Sequence, residues 1–292
     1  MNKEFNKGLF LAGFGSFWWG FFGVLYFKYI TYIGHIELVV HRCLWTTFTL
    51  IITTFLFSKW KIFFTIIKNK RNLFYLFLSG FLIFINWGVW IYAIATNRII
   101  DASFGYFIMP ILSVMLGYLF FKEKLNKKRV FSILMVILSI LFLIIVSIKS
   151  LPWVGLIVAL SWGFYNLVRK KINVDTDVGL LIESMYILPF ALVTFYFLIL
   201  NGFNNFKFSE PSLMVLILLA GPMTVIPLFL YVRGVELIGL GPTGMIFYIT
   251  PTLQFILGYF YYNEDFSLIK FLSFIIIWIA VIIYLKDLYE TN

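Results

Sequence analysis

Long apolar runs, separated by short polar segments, follow one another along the whole chain. A bilayer core of about 30 Å requires about 20 helical residues per crossing, and backbone groups in lipid must be satisfied within the spanning structure itself. The pattern therefore predicts an all-α integral membrane protein with ten transmembrane helices and short connections. The predicted spans are Gly8–Phe27, Ile36–Phe57, Asn72–Ala95, Ala102–Phe121, Val130–Val146, Pro152–Val168, Gly179–Leu200, Ser212–Val232, Leu240–Tyr261 and Leu268–Leu285.

One of these runs occurs twice, at residues 102–125 and 243–266. In both copies a mid-segment proline is followed by a glycine and then by a glutamate at the charged end. The matching residues are Pro110 and Pro251, Gly117 and Gly258, and Glu123 and Glu264, and each pair is 141 residues apart. Fixed pairs without a gap indicate an internal repeat. The sequence therefore predicts two five-helix units, residues 1–147 and 148–292.

The basic residues predict how the two units are oriented. With the N-terminus in the cytoplasm, 17 of the 23 Lys and Arg residues fall on the inner side, five fall on the outer side, and Arg42 lies within a span. Five spans per unit is an odd number, so the second unit must be inverted. The loop after the fourth span is rich in lysine, whereas its counterpart around Glu264 has none. Cytoplasmic loops carry the excess of basic residues, so both termini are predicted to be cytoplasmic.

Composition narrows the class of protein further. With 62% hydrophobic residues, 12% charged residues and a mean hydropathy of +0.98, the chain is not a soluble globular protein. The net charge of +10 is explained by topology rather than by nucleic-acid binding. The single cysteine, Cys43, excludes an internal disulfide, and the sequence has neither a Walker A loop nor a histidine-rich cluster. No metal or cofactor is predicted, and Met1–Gly20 is interpreted as a retained first span.

The second span holds the densest set of ionisable residues, Glu37, His41 and Arg42. A charge at the centre of a membrane helix costs about 2.5–3.5 kcal/mol on insertion scales, so each needs a reason. Glu37 and His41 share a helix face and can relay protons, since histidine titrates near neutral pH. Arg42 can hold a substrate carboxylate or phosphate. Alternatively, all three lie near the outer interface, where Arg42 snorkels and His41 only packs.

Other candidates lie in the matched stretches. Glu183, in the seventh span, is the predicted counterpart of Glu37, and such a pair of carboxylates can couple transport to protons. Its alternative role is stabilisation of a helix N-terminus. Pro110 and Pro251 each remove a backbone hydrogen bond, so they are predicted hinges, or else packing kinks.

Uncharged side chains complete the predicted site. Asn86 and Gln254 can offer hydrogen bonds to a substrate or to a neighbouring helix. Trp19, Tyr106 and Tyr248 can line a pocket with apolar walls and polar tips. Because aromatic residues make up 21% of the chain, packing and interface contacts are the alternative for each of them.

Several stretches carry a resemblance that covers nearly the whole chain. They are Val40–Trp45, Asn86–Trp87, Ala102–Pro110, Gly179–Glu183, Gly221–Leu228 and Tyr248–Gln254. These stretches resemble the EamA-type permeases of the drug/metabolite transporter superfamily, and within them the RarD group. The resemblance implies a ten-helix permease of the inner membrane. Met109 stands where asparagine is expected, and Lys122 and Asn263 replace the glycine that usually precedes the repeat's final glutamate.

The features together predict a secondary transporter that moves a small amphipathic metabolite or drug across the cytoplasmic membrane by alternating access. Proton-driven export is the first hypothesis for its energetics and uniport is the second. The rival hypotheses are a membrane-integral enzyme acting on a lipid, for which only Glu37 and His41 partly suffice, and a structural membrane subunit. The group's name is tied to chloramphenicol sensitivity, which leaves the natural substrate open.

Overall fold

The computed structural model describes residues 3–96, 99–147, 153–172, 174–261 and 268–291. This part of the chain is helical and contains no β-strand. The α-helices are α1 (Lys3–Trp18), α2 (Val24–Tyr29), α3 (His35–Leu56), α4 (Trp60–Ile67), α5 (Lys70–Ala95), α6 (Ile99–Phe121), α7 (Lys127–Ser147), α8 (Trp153–Lys171), α9 (Thr176–Leu200), α10 (Pro211–Leu218), α11 (Ala220–Ile238), α12 (Leu240–Ile246), α13 (Ile249–Phe260) and α14 (Leu268–Thr291).

Each predicted span coincides with one of these helices or with two consecutive ones. The first span is continuous from α1 to α2 through a π-helical turn, Trp19–Gly23. The eighth span is divided into α10 and α11, and the ninth into α12 and α13. The short helix α4, which follows Lys59, was not predicted. Pro152, the predicted start of the sixth span, and Glu264, the predicted partner of Glu123, lie outside the described residues.

The apolar character of the long helices confirms an all-α membrane protein. Six helical segments of the described chain are long and apolar enough to cross a bilayer, and a shorter apolar helix covers Gly105–Phe121. The six are Lys3–Tyr29, His35–Leu56, Lys70–Ala93, Thr176–Leu200, Pro211–Ile238 and Phe271–Thr291. Large apolar side chains such as Phe10, Phe55 and Ile145 stand exposed on the outer surface, as expected for side chains that face lipid.

Local sequence fixes where several helices begin. The side chain of Asn69 accepts hydrogen bonds from the amides of Arg71 and Asn72 and so caps α5. Asp175 caps α9 by accepting a bond from the Val178 amide. Gly34 and Gly239 have φ angles of 94° and 98° immediately before α3 and α12, where any residue with a Cβ would be strained.

The helices of the two predicted units interleave rather than form separate bundles. Helix α1 packs on α11, α5 packs on α8 and α9, and α3 packs on α9 and α11. Helix α6 packs on α8 and α12, α13 packs on the π-helical turn and α1, and α7 packs on α14. The centre of the molecule is therefore built by helices from both predicted units.

Glycines allow two of these contacts to be close. A Cβ on Gly20 would lie 2.9 Å from the backbone of Thr250 and 3.0 Å from the Cβ of Leu253. A Cβ on Gly163 would lie 3.0 Å from Cγ of Leu112. Small residues at helix contacts are the usual means by which membrane helices approach one another.

The Gly20→Ala substitution is expected to lower stability because α13 must move away from the π-helical turn. Overpacking of this kind costs about 1–3 kcal/mol. The measurement is the thermal unfolding midpoint of the detergent-purified protein. Gly88→Ala is the matched control, since a Cβ at that position would meet no side chain or neighbouring helix within 4 Å. Equal midpoints for the two variants would contradict the packing described here.

Ion pairs join the ends of several helices on the side predicted to be cytoplasmic. Lys170 lies 2.8 Å from Glu123, and Arg129 lies 2.8 Å from Asp287. Lys59 contacts Asp177 at 2.6 Å and Asp175 at 3.1 Å. Partial burial opposes ionisation of Asp175, but hydrogen bonds with Asp177 and Lys59 hold the pKa of its carboxyl below the usual range. This side of the molecule is tied together by charge.

Candidate functional site

A narrow cavity lies where helices from the two predicted units meet. Aromatic side chains form most of its wall, and a few polar groups interrupt them. The lining residues are Trp19, Gly23, Phe27, Arg42, Asn86, Trp87, Trp90, Tyr106, Trp162, Phe247, Thr250 and Gln254. A mostly apolar cleft with few polar groups is the usual form of a small-molecule site.

Four aromatic rings pack together at the cavity wall, where Trp19, Trp162 and Phe247 line the cavity and Tyr231 contacts them. The ring centroids of Trp19 and Trp162 are 4.9 Å apart in an edge-to-face arrangement. Tyr231 lies 5.4 Å from both Trp162 and Phe247. These four residues are called the aromatic floor below.

Arg42 is the charged group of the cavity. Its side chain is buried, with 4% exposure, and its Nε donates a hydrogen bond to Oγ1 of Thr224 at 3.1 Å. The guanidinium carbon lies 4.7 Å from the ring centroids of both Phe27 and Trp87, and 5.7 Å from that of Trp90. Cation–π contacts of this kind stabilise the charge.

Arg42 has no carboxylate within 4.0 Å among the described residues. Its Nε is occupied by Thr224, and its two terminal amino groups donate no hydrogen bond to another described residue. A buried cation without an anionic partner bears a large desolvation cost. The cavity therefore presents an unpaired positive charge, which suits an anionic ligand.

Two amide side chains add neutral polar groups to the wall. Nδ2 of Asn86 donates to the carbonyl of Val158 at 3.0 Å and to Oγ of Ser161 at 3.1 Å. The amide of Gln254 makes no hydrogen bond to another residue that the structure describes. Gln254 is therefore free to bond a ligand, whereas the side-chain amide of Asn86 already donates hydrogen bonds to α8.

His41 and Glu37 lie on a different side of α3 from Arg42. Nε2 of His41 is 3.4 Å from Oε1 of Glu37, and Nε1 of Trp45 donates to Nδ1 of His41 at 3.2 Å. Glu37 accepts bonds of 2.6 Å from both the backbone amide and the side-chain amide of Asn205. The sequence grouped these residues with Arg42, but neither of them lines the cavity. They hold the connection between α9 and α10 instead.

The Glu37→Ala substitution is expected to release this connection. It removes the acceptor for two short hydrogen bonds from Asn205, and bonds to a charged group contribute about 1.5–3 kcal/mol each. Hydrogen–deuterium exchange at the Asn205 amide should accelerate by about tenfold or more. The control is Glu210→Ala, because Glu210 ends the same connection without a side-chain cap bond. Equal exchange rates in both variants would count against this anchoring role.

Glu183 does not line the cavity but is linked to the aromatic floor through Tyr165, whose ring stacks on that of Trp162 at 5.5 Å. It is 2% exposed and accepts hydrogen bonds from Ser79 at 2.5 Å and Tyr165 at 3.3 Å. Nη1 of Arg169 lies 3.5 Å from its carboxylate. Arg42 and Glu183 each come seven residues after the first residue of their helix, whereas Glu37 comes only two residues after. Position therefore matches Glu183 with Arg42 rather than with Glu37.

The remaining predicted residues divide between the cavity and its surroundings. Trp19 and Tyr106 line the cavity. Tyr248 is buried, and its hydroxyl donates to the carbonyl of Phe107 at 2.9 Å, so its neighbour Phe247 takes the lining position. Pro110 lies inside α6. Pro251 lies in the first turn of α13, directly after the break that follows α12.

The comparisons with known proteins agree over the full length of the chain. The sequence profile of the EamA-like transporter family matches residues 6–145 and again residues 150–286. Protein RarD of Escherichia coli (strain K12) is 32% identical over 290 residues, which cover 99% of this chain and 97% of that protein. The uncharacterized transporter YojE of Bacillus subtilis (strain 168) is 33% identical over 287 residues, or 97% and 95%.

A solved crystal structure matches the fold with a TM-score of 0.65 over 94% of this chain and 96% of its own. The two sequences are 13% identical, so this likeness concerns the fold alone. The apolar helices, the central cavity and the relatives together define a multi-pass permease of the inner membrane. The chain belongs to the EamA-like transporter family.

Proposed function

We propose that this permease is a secondary transporter that works by alternating access and binds its cargo in the central cavity. The cargo is a small amphipathic molecule with an anionic group and an apolar body. The observation that carries this proposal is the unpaired guanidinium of Arg42 within an aromatic cavity. The family and its transporter relatives favour a permease over a lipid-acting enzyme or a structural subunit.

The contacts of Arg42 suit an anionic cargo. Thr224 holds Nε and two aromatic rings hold the planar group from the sides, which fixes the direction of the terminal amino groups. A preorganised guanidinium fork binds a carboxylate or phosphate through two parallel hydrogen bonds. Gln254 offers a further hydrogen bond from the opposite unit, and Trp19 and Tyr106 contact the apolar body of the cargo.

The proposed alternating access relies on ten membrane crossings arranged as two inverted units, residues 1–147 and 148–292. The two separate matches to the family profile support two units. Three contacts join residues at equivalent repeat positions: Trp19 with Trp162, Tyr106 with Phe247, and Phe107 with Tyr248. A residue can touch its own equivalent only near a twofold axis, so these contacts support a pseudo-twofold axis through the cavity.

The helix contacts support the same symmetry. Between the two predicted units, the equivalent helices are α1 and α8, α3 and α9, α5 and α11, and α6 and the pair α12 and α13. When the units are exchanged, the contact of α1 with α11 therefore corresponds to that of α8 with α5. The contact of α6 with α8 becomes that of α12 and α13 with α1, and the contact of α3 with α11 becomes that of α9 with α5. Inverted repeats with a shared central site are a recurrent plan of secondary transporters.

In this arrangement the cavity belongs to the outward-facing half of the transport path. The distribution of basic residues favours cytoplasmic termini, which places the ion-paired side around Lys170 in the cytoplasm. The aromatic floor then separates cargo from the cytoplasm. Proton-driven export remains the first hypothesis and uniport the second. Glu183 is the stronger coupling candidate because it lies at the position equivalent to Arg42, and Glu37 is the weaker.

The experiment that tests the cargo class compares acids with neutral isosteres. The purified permease is heated with aromatic and aliphatic carboxylic acids and with the corresponding amides, chloramphenicol being included as a neutral amphipathic compound. A ligand that binds the folded state raises the unfolding temperature. At least one acid is expected to stabilise the protein while its amide does not. Stabilisation by amides and acids alike would contradict the role assigned to Arg42.

A further inference from the structure

The face of α8 that carries Trp162, Asn166 and Lys170 continues from the cavity toward the cytoplasm. These residues are spaced four apart and lie above one another on the helix. Trp162 belongs to the aromatic floor. Lys170 lies in the last turn of α8, where Glu123 contacts it. The face therefore runs from the cavity wall at Trp162 to the ion pair of Lys170 with Glu123.

The first unit has an equivalent face that lines the cavity. Trp19, Gly23 and Phe27 have the same spacing of four, precede the α8 residues by 143 positions each, and all line the cavity. If the two units exchange conformations during transport, the α8 face takes the environment that this first face has now.

Asn166 gives independent evidence for a ligand path on α8. Its side chain is 1% exposed, and its Nδ2 donates to the carbonyl of Trp162 on its own helix at 2.9 Å. Its Oδ1 is buried and has no hydrogen-bond partner. An unsatisfied buried polar atom is destabilising, so its presence at this position needs a reason. A polar group on a path that opens to water and cargo accounts for it.

The cytoplasmic end of this face is closed by one carboxylate. Oε1 of Glu123 lies 2.8 Å from Nζ of Lys170 and also accepts a bond of 2.8 Å from the Leu240 amide. Oε2 accepts a bond of 2.9 Å from the Gly241 amide. Glu123 thus ties the ends of α6 and α8 to the first two residues of α12, and this set of contacts is called the cytoplasmic closure below.

We propose that the Asn166 face of α8 is the cytoplasm-facing half of the cargo path, closed in this structure by Glu123. When Glu123 leaves, Lys170 becomes a free cation at the cytoplasmic end of the path. The anionic group of the cargo then replaces the Glu123 carboxylate on Lys170, while Asn166 bonds its polar groups. This inference rests on the proposed function, because it assumes two units that alternate.

The test is side-specific cysteine labelling. In a Cys43→Ser background, the variants Asn166→Cys and Gly23→Cys are treated with a membrane-impermeant sulfonated maleimide in right-side-out and inside-out vesicles. The Gly23→Cys variant is expected to react from outside and the Asn166→Cys variant from the cytoplasmic side. Ser139→Cys, buried between α7 and α14, is the control that stays unreactive from both sides.

Adding Glu123→Gln removes the charge of the cytoplasmic closure. It is expected to raise the labelling rate of the Asn166→Cys variant about tenfold, since a bond to a charged group is lost, and to lower that of the Gly23→Cys variant. If the substitution merely loosens the helix packing, the labelling rates of both cysteine variants rise, and that result contradicts the inference. Lys170→Met removes the same ion pair if Glu123→Gln does not reach the membrane.

Labelling of the Asn166→Cys variant from outside, or no cytoplasmic labelling after the closure is removed, would overturn the inference. The labelling requires no cargo. A wrong cargo class would therefore leave this result intact, and a wrong path would leave the acid-specific stabilisation intact.

Discussion

The Arg42→Met variant is expected to lose affinity for the anionic cargo without losing thermal stability. The guanidinium supplies charge-assisted hydrogen bonds worth roughly 3 kcal/mol to a bound carboxylate, which is about a hundredfold in Kd. Methionine retains a flexible apolar side chain that packs against Phe27 and Trp87. Because Arg42 has no carboxylate partner among the described residues, its removal relieves a desolvation cost and should leave the unfolding temperature unchanged or higher.

Binding of the acid selected by the amide comparison, measured by isothermal titration, checks this expectation. Arg42→Lys keeps the charge but not the fork, so its affinity should lie between those of the wild type and Arg42→Met. Thr224→Val is the second comparison, since it removes only the bond to Nε. An Arg42→Met protein that binds the acid normally, or that fails to fold, would refute the assignment.

The Arg169→Ala variant, in contrast, is expected to lose stability. Arg169 is 1% exposed and lies 3.5 Å from Glu183 and 4.0 Å from Glu236. Its Nη2 also donates to the carbonyl of Thr176 at 3.1 Å. Removing the cation leaves two carboxylates without their shared partner, and breaking a buried pair from one side costs about 3–5 kcal/mol.

Thermal unfolding of the purified variants measures this cost. Lys171→Ala, an exposed position in the last turn of the same helix, should change stability by no more than about 0.5 kcal/mol. The double variant Arg169→Met with Glu183→Leu should recover part of the loss, because neither buried charge of that pair remains. If Arg169→Ala and Lys171→Ala unfold alike, the buried pair does not support the fold.

The sequence predicts the helices well because lipid imposes a simple rule. Twenty apolar residues in a row must be helical in a bilayer, so every predicted span coincides with helix. The sequence does not predict the break between α12 and α13 or the extra helix α4. A break costs little where neighbouring helices satisfy the backbone, and that depends on tertiary contacts rather than on the run itself.

The site was predicted less completely. Five of the predicted site residues line the cavity: Trp19, Arg42, Asn86, Tyr106 and Gln254. They could be predicted because charged residues in apolar runs, and positions that match between the repeats, are informative. Helix periodicity placed His41 and Arg42 about 100° apart but could not decide which of the two sides faces the cavity.

Two other features of the structure carried no usable sequence signal. Trp90 is one aromatic residue in a chain with 21% aromatic content, so its position alone did not mark it as a cavity residue. Asn205 reaches Glu37 only because the connection between α9 and α10 folds back over α3.

Counterflow in proteoliposomes tests the central claim most directly. Vesicles that contain the purified permease are loaded with the unlabelled acid and diluted into a trace of the labelled acid. If the protein is a secondary transporter with Arg42 at its cargo site, label accumulates transiently in wild-type vesicles and does not accumulate in Arg42→Met vesicles. Equal uptake in both, or uptake no greater than in protein-free liposomes, would contradict the account.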